Sequence, residues 1–391
     1  MIPITVPMLD QSEAQAAFDV VLSGWLSQGA QVAAFEEEFA NAVGAPHACA
    51  VSNCTTALHL ALLAVGVGPG DEVITVSHSF IATANVVRSC GATPVFVDID
   101  PTTYNLDPSL LTAAISARSR AILCVHQMGL PCDLAQILPI ARAHGLPVIE
   151  DAACAIGSEI RLDGAWATIG APHGDIACFS FHPRKVITTG EGGMLTTRHA
   201  DWDRRFRLLR QHGMSVSDAV RHQASQVVFE DYPISGFNYR MTDIQAAIGR
   251  RQLARLPEIV ARRRARAKAY AQLLADVPGL RAPTEPDWAR SNWQSYCVRL
   301  PDHVDQLSIM QAMLDRGVAT RRGVMCAHLE SAYAGIRPGR LPHSEGAHRR
   351  CIVLPLYPQM TDLDQRQVVD ALQAVLAEQP RARATLSDAI S

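Results

Sequence analysis

Ten cysteines are scattered along the chain without one Cys-x-x-Cys pair, and fourteen histidines form no His-Glu-x-x-His or comparable ligand spacing. Without such spacings neither a structural nor a catalytic metal is expected. In a chain of this length, scattered cysteines read as reduced, mostly buried thiols of a cytoplasmic protein. No run of eighteen apolar residues occurs, so no membrane span is expected. The opening Met1-Ile2-Pro3-Ile4-Thr5-Val6-Pro7 lacks the basic region and apolar run of a signal peptide. Neither sign of charge predominates. A formal net charge of −3 gives no electrostatic reason to expect nucleic acid. The cluster Arg262-Arg263-Arg264 with Arg266 reads as one solvated helix face, and no internal repeat or low-complexity run is found.

What is present is an ordinary soluble composition, 48% hydrophobic and 19% charged, over 391 residues. That length exceeds what one hydrophobic core usually supports, so two domains are expected. Residues 10–43 read as helical segments broken at 23–29, with Glu36-Glu37-Glu38 on the wet side of an amphipathic helix. From residue 47 short apolar runs alternate with helical patterns. Strand candidates are 47–51, 73–76, 94–97, 121–125, 147–150, 176–181 and 194–197. Helical stretches lie near 56–65, 80–90, 108–116, 134–144 and 200–211. This alternation predicts an α/β fold with a mainly parallel sheet between helices. Ligands of such sheets bind beyond the carboxyl ends of the strands.

The chemically promising residues do fall just after strand candidates. Val51-Ser52-Asn53-Cys54-Thr55-Thr56 opens a helix with small polar groups, either as an anion site or as an ordinary cap. Phe80 follows the next strand and could be core. Asp151 ends an apolar run, where an unpaired carboxylate is costly to bury; capping a following helix is the alternative. The run Ile176–Phe181 breaks at His182-Pro183, and Lys185 follows in a loop leading to Thr188, Thr189, Gly190, Gly192 and Gly193. A lysine beside an apolar strand end is in a setting that can lower its pKa and make it a nucleophile. Gly213 closes the helix near 208, residues 214–232 read as an irregular loop, and Thr242 with Gln245 has capping-box spacing. A long arginine-rich helical stretch, 249–275, then leads to a strand candidate at 295–300, a helix near 305–316, an apolar run at 351–356 and a last helix near 362–377. The tail from Pro380 reads as mobile.

Ser180-Phe181-His182-Pro183-Arg184-Lys185 with Thr189-Gly190-Glu191-Gly192-Gly193 resembles the lysine motif of the DegT/StrS-type sugar aminotransferases. The likeness extends over roughly residues 10–375 through four separated motifs. It implies the fold-type I architecture, a large domain over 1–248 and a smaller C-terminal α+β domain over 249–391, the N-terminal segment packing on the smaller one. Pyridoxal 5′-phosphate (PLP) is the implied cofactor, held by Lys185 as an aldimine. Asp151 is implied to face the cofactor's ring nitrogen, a charged hydrogen bond of about 1.5–3 kcal/mol, and Phe80 to stack on the ring. Thr55, Thr56 and Ser180 correspond to phosphate ligands, with His182 as a further polar neighbour or a structural histidine of the turn. Asn238 corresponds to a residue reaching the phosphate of a neighbouring subunit, which implies a homodimer with shared sites. Two departures stand out: Cys54 at a glycine position, and Cys154 where glutamine or histidine contacts the ring oxygen. Arg321 and Arg322 lie in a segment that helps to bind the nucleotide-sugar, and paired arginines suit a diphosphate. The segment Trp25–Gly29 is implied to lie near the sugar.

The expected activity is ping-pong transfer of an amino group from L-glutamate to a nucleotide-linked keto sugar. An aminocyclitol ketone is an alternative substrate. A sugar dehydratase is disfavoured because the relatives that dehydrate carry histidine in place of the lysine. A non-catalytic regulatory homologue is disfavoured because Asp151, Ser180 and Lys185 are all intact.

Overall fold

Seven short strands, buried for most of their length, build the framework. They are β1 (His47–Val51), β2 (Glu72–Val76), β3 (Thr93–Val97), β4 (Ser119–Val125), β5 (Val148–Asp151), β8 (Ile176–Ser180) and β9 (Gly193–Thr197). The computed structural model describes residues 1–216, 221, 224–336 and 338–379; the tail expected from Pro380 and part of the 214–232 loop lie outside them. The strands form one sheet in the order β1-β9-β8-β5-β4-β2-β3. From β3 to β8 every pairing is parallel, and β9 alone runs against its neighbours β8 and β1. Strands β2, β5, β8 and β9 are buried at every position, which is why they read as unbroken apolar runs.

Each face of the sheet carries its own core. One gathers Phe35, Phe39, Phe179 and Phe181, with Phe39 edge-on to Phe179 at 5.0 Å between centroids. The other gathers Leu58, Leu62, Leu123, Ile149 and Phe206. A third cluster, with Tyr270, Tyr296, Ile352 and Leu372 at its centre, belongs to the C-terminal residues and takes in Ile2 from the opposite end of the chain. Its sheet is β11 (Tyr296–Arg299), β13 (Cys351–Leu354) and β12 (Arg321–Arg322), in that order.

Four features depart from the sequence reading. Strands β6 (Glu159–Leu162), β7 (Ala165–Thr168) and β10 (Ala289–Arg290) form a small sheet that was not expected. The signal was there: Asp163-Gly164 joins β6 to β7 with φ of 50° and 83°, the positive angles a tight hairpin demands. The expected helix 249–275 is two helices, Asp243–Ala254 and Leu256–Leu273, parted at Arg255 because Pro257 is tolerated only in a first turn. Arg263 is not on a solvated face. It is buried and donates to the carbonyls of Trp293 and Gln294 at 3.1 and 3.2 Å.

Glu36 is likewise not on a wet face. It follows Phe35 on the core side of the helix Ala30–Val43, is buried, and accepts from Arg207 Nη1 at 2.6 Å and from Arg210 Nη1. Its carboxylate also takes the Ala50 N–H at 2.9 Å, tying the helix to β1. Burial alone would raise the Glu36 pKa, but Arg210 and Arg207 outweigh it and hold the carboxyl below its ordinary value. A depressed folded-state value means stability that is present above the ordinary glutamate range and lost as pH falls through the folded value. Glu36→Gln removes the carboxylate the two arginines share, leaving Arg207 with Asp203 at 2.8 Å and the buried Arg210 without a counter-charge, and is expected to cost about 3–5 kcal/mol at neutral pH. In urea titrations the wild-type midpoint should fall on acidification more steeply than the variant's. Parallel pH curves would contradict this role.

Candidate active site

Every central strand except β9 points its carboxyl end to one edge, and β9 starts there. At the middle of that edge β5 ends in two consecutive buried carboxylates, Glu150 and Asp151, whose side chains alternate across the sheet. Turns follow Asp151 rather than a helix, so it is no helix cap. Its Oδ2 accepts from Thr83 Oγ1 at 2.8 Å, and its Oδ1 from the Ala153 N–H at 3.2 Å. Thr83 is in turn fixed by Ser79 Oγ at 2.8 Å. Burial raises the Asp151 pKa against the pull of these donors and of the Lys185 charge.

On the other face Glu150 is fully satisfied. Its Oε2 meets His126 Nε2 at 2.9 Å, both side chains being inaccessible, and its Oε1 takes the Gly174 N–H at 2.8 Å. Glu150 favours a proton on the ring. His126 Nδ1 accepts the Cys132 N–H at 2.9 Å, however, and can do so only unprotonated, so the one ring proton lies on Nε2. The His126 backbone N–H reaches the Asp151 carbonyl at 3.1 Å. Glu150 thus links the end of β5 to the residue after β4 and to the turn that enters β8, just behind Asp151.

Lys185 sits in the turn after β8, half-buried, and donates from Nζ to Cys154 Sγ at 3.1 Å. The expectation of a lowered pKa holds for burial only. Burial does act against the charge, but Cys154, Cys54 and Asp151 outweigh it, and the net direction is upward. The turn is closed by Lys185 N–H to His182 O at 2.8 Å, Thr189 N–H to Phe181 O at 3.0 Å, and Thr188 Oγ1 to Phe181 O at 2.8 Å. Gly190, at φ 83°, lets the chain turn back.

Beside it lies the start of the helix Cys54–Ala64. Asn53 caps it, accepting the Thr56 N–H at 2.9 Å, while Thr56 Oγ1 donates to Asn53 O at 2.7 Å and receives the Asn53 N–H at 3.3 Å. The capping alternative is therefore real for Thr56, and Thr55 is left exposed. Cys54 has no positive φ, so the glycine position tolerates it. Gly193 is the glycine that matters: a Cβ there would stand 2.5 Å from the Asn53 carbonyl carbon. The close approach presents Ser180, at the end of β8, beside this helix start.

The remaining expected residues are more dispersed. His182 Nδ1 accepts the Arg184 N–H at 3.2 Å, a turn-forming role. Phe80 is 64% exposed, its face open to a ligand. Asn238 is exposed and bridges to Gln211 through the backbone; the next carbonyl, Tyr239 O, takes the Ser52 N–H at 2.8 Å. Arg322 is engaged by Glu330 at 3.2 Å, whereas Arg321 stands close enough to lower the pKa values of His182 and Arg184, though burial is the larger influence on both. Sequence reasoning missed Thr83, His126, Glu150 and Asn292. Only adjacency to singled-out residues marked Thr83 and Glu150, and His126 and Asn292 carried no local signal. Trp25 and Gly29 line a separate cavity of about 740 Å³ with Asp243 and Arg250; Asp243 there accepts the N–H groups of Gly29 at 2.7 Å and Val32 at 3.0 Å.

Among the described residues no group of three or more His, Cys, Asp or Glu side chains could hold a metal, and no helix is long and apolar enough to cross a membrane. All ten cysteines are free, and Cys154 alone is not buried.

A mainly parallel sheet flanked by helices, with a lysine turn and a buried aspartate at its carboxyl edge, is the architecture of fold-type I aminotransferases. The chain belongs to the DegT/DnrJ/EryC1/StrS aminotransferase family, whose model matches residues 7–373. It is 41% identical over 381 residues to the GDP-perosamine synthase of Caulobacter vibrioides, covering 96% of this chain and 98% of that one. It is 38% identical over 382 residues to the spore coat polysaccharide biosynthesis protein SpsC of Bacillus subtilis, covering 96% and 97%. The crystal structure of the aminotransferase TlmJ from Streptoalloteichus hindustanus superposes with a TM-score of 0.88 at 36% identity, over 96% of this chain and 99% of that one.

The Glu150 staple makes its own prediction. His126→Ala leaves one oxygen of a buried carboxylate without its ring donor and is expected to cost about 1.5–3 kcal/mol. His126→Gln, which keeps a donor, should recover part of the loss. Equal urea midpoints for wild type and alanine variant would remove the pair from the account.

Proposed function

We propose that the protein is a PLP-dependent aminotransferase that moves an amino group from L-glutamate to the ketone of a nucleotide-linked sugar. The observation that carries this reading is the pairing at the sheet edge: a buried Asp151, hydrogen-bonded only by a hydroxyl and a backbone N–H, and a lysine amine on the neighbouring turn. Among the described residues Asp151 has no cationic side chain in hydrogen-bonding contact. A protonated ring nitrogen is the partner such a carboxylate lacks. The names of the relatives supply the direction towards activated sugars, and the family membership supports it.

The residues fit PLP. Lys185 would hold its aldehyde carbon, Asp151 its ring nitrogen, and Phe80 would cover the ring. Ser180, Thr55 and the free N–H groups at the start of the helix Cys54–Ala64 would take the phosphate, assisted by the helix dipole. His182 shapes the turn that carries Lys185, and Cys154 lies against the amine. Bound PLP supplies an electron sink for a carbanion at the substrate carbon. Asp151 would hold the ring proton and so keep that sink charged. The Lys185 amine would move a proton at the substrate's α carbon. One site serving both donor and acceptor implies ping-pong kinetics. Arg321 and Arg322 would face the diphosphate, Arg321 being the freer of the two. Asn238 would act across a two-fold axis in a homodimer. We also propose the two-unit division, 1–248 and 249–391, with the third hydrophobic cluster as the core of the second unit and Ile2 joined to it.

The purified protein should show a visible absorbance band that L-glutamate abolishes and a nucleotide-linked keto sugar restores. Lys185→Ala should abolish the band, and Asp151→Asn should lower kcat by roughly 10²-fold or more, the scale of losing one preorganised electrostatic partner. A protein that takes up no PLP, or double-reciprocal plots that intersect, would contradict the proposal.

A further inference from the structure

The thiol of Cys154 lies against the amine of Lys185, and the structure gives it a definite task. Its sulfur accepts a hydrogen bond from Lys185 Nζ at 3.1 Å. Nine of the ten cysteines are buried, and this one, half-buried, lies on the lysine. The contact is built rather than incidental. The two turns that bring sulfur and amine together are tied to a single strap, residues 291–295.

Asn292, fully buried, donates through Nδ2 to Cys154 O and to Ile156 O, both at 2.8 Å. Its own N–H goes to Ser158 Oγ at 3.0 Å, and its Oδ1 takes the Gln294 N–H at 2.8 Å. Gln294 Nε2 then donates to Arg184 O at 3.0 Å, one residue before Lys185. Between them Trp293 is held at φ 54°, a costly angle for a bulky side chain that persists only where surroundings impose it. Arg263 fixes it by donating to Trp293 O at 3.1 Å. Gly129 is required beneath, because a Cβ there would collide with Asn292 Oδ1. One strap therefore sets the separation of the Cys154 and Lys185 turns.

We propose that Cys154 is a positioning residue for Lys185: its sulfur aims the amine until a carbonyl compound displaces that contact. The inference rests on Lys185 being the reactive lysine of the proposed function. The groups facing the amine are Cys154 and Asp151 from β5 and its following turn, and Cys54 from the helix start; Arg184 and His182 share its own turn. Sulfur is the nearest acceptor among them. Its loss is expected to leave burial dominant and bring the amine's pKa down.

The sequence makes the test simple, since Lys185 and Lys268 are its only lysines and Lys268 is exposed on the helix Leu256–Leu273. The full chain, stripped of bound aldehyde with hydroxylamine, is treated at pH 8 with a trace of acetic anhydride. Peptide mass spectrometry then gives the Lys185 to Lys268 labelling ratio. Cys154→Ala should raise that ratio several-fold, and its pH profile should move to lower pH. Cys154→Ser, which keeps an acceptor, should lie between, and it guards against a merely misfolded alanine variant. Ratios and profiles alike in all three proteins would overturn the proposal. A ratio that responds in a protein taking up no PLP would leave the positioning role standing and sink the proposed function. A PLP band on Lys185 with an unmoved ratio would do the reverse.

Discussion

Two adjacent carboxylates end the central strand of a buried sheet, and the site depends on their being treated differently. Residues 150 and 151 alternate across the sheet, so the chain must satisfy one charge on each face in a medium where unpaired charge is expensive. Glu150 is fully consumed by structure through His126 and Gly174. Asp151 receives two modest donors and keeps capacity for a third, cationic partner. The first carboxylate fixes the backbone, and the second is thereby delivered to the ligand edge.

The lysine turn obeys a related economy of freedom. Its backbone is closed by hydroxyl and carbonyl contacts within residues 181–192, and its outer side is braced by the strap at 291–295. The proposed function requires the amine to move between partners, yet nothing else in the turn needs to. Rigid support beneath a mobile terminal group is how a reactive side chain acquires geometry without losing reach.

Much of this was legible in the sequence. The seven central strands were placed nearly to the residue because strands buried for most of their length leave short, largely apolar runs, and Asp151 and Lys185 were marked by polarity intruding at the ends of such runs. Strand order was not readable, since alternation gives direction but not adjacency. The charges on helices misled where local context could not say which face was wet: Glu36 and Arg263 were read as solvated, and both proved buried because distant partners, Arg207 and Arg210 for one and the carbonyls of the strap for the other, lie far along the chain. Asn292 was invisible for the same reason. Its role arises from contacts more than a hundred residues away, whereas Thr83 and Glu150 sat beside residues already singled out.

The most direct test of the account is to treat the PLP-loaded protein with borohydride, digest it, and locate the reduced adduct by mass spectrometry. One pyridoxyl-bearing peptide is expected, with the modification on Lys185 and Lys268 unmodified. An adduct on Lys268 or on the N-terminal amine, with Lys185 left bare, would contradict it.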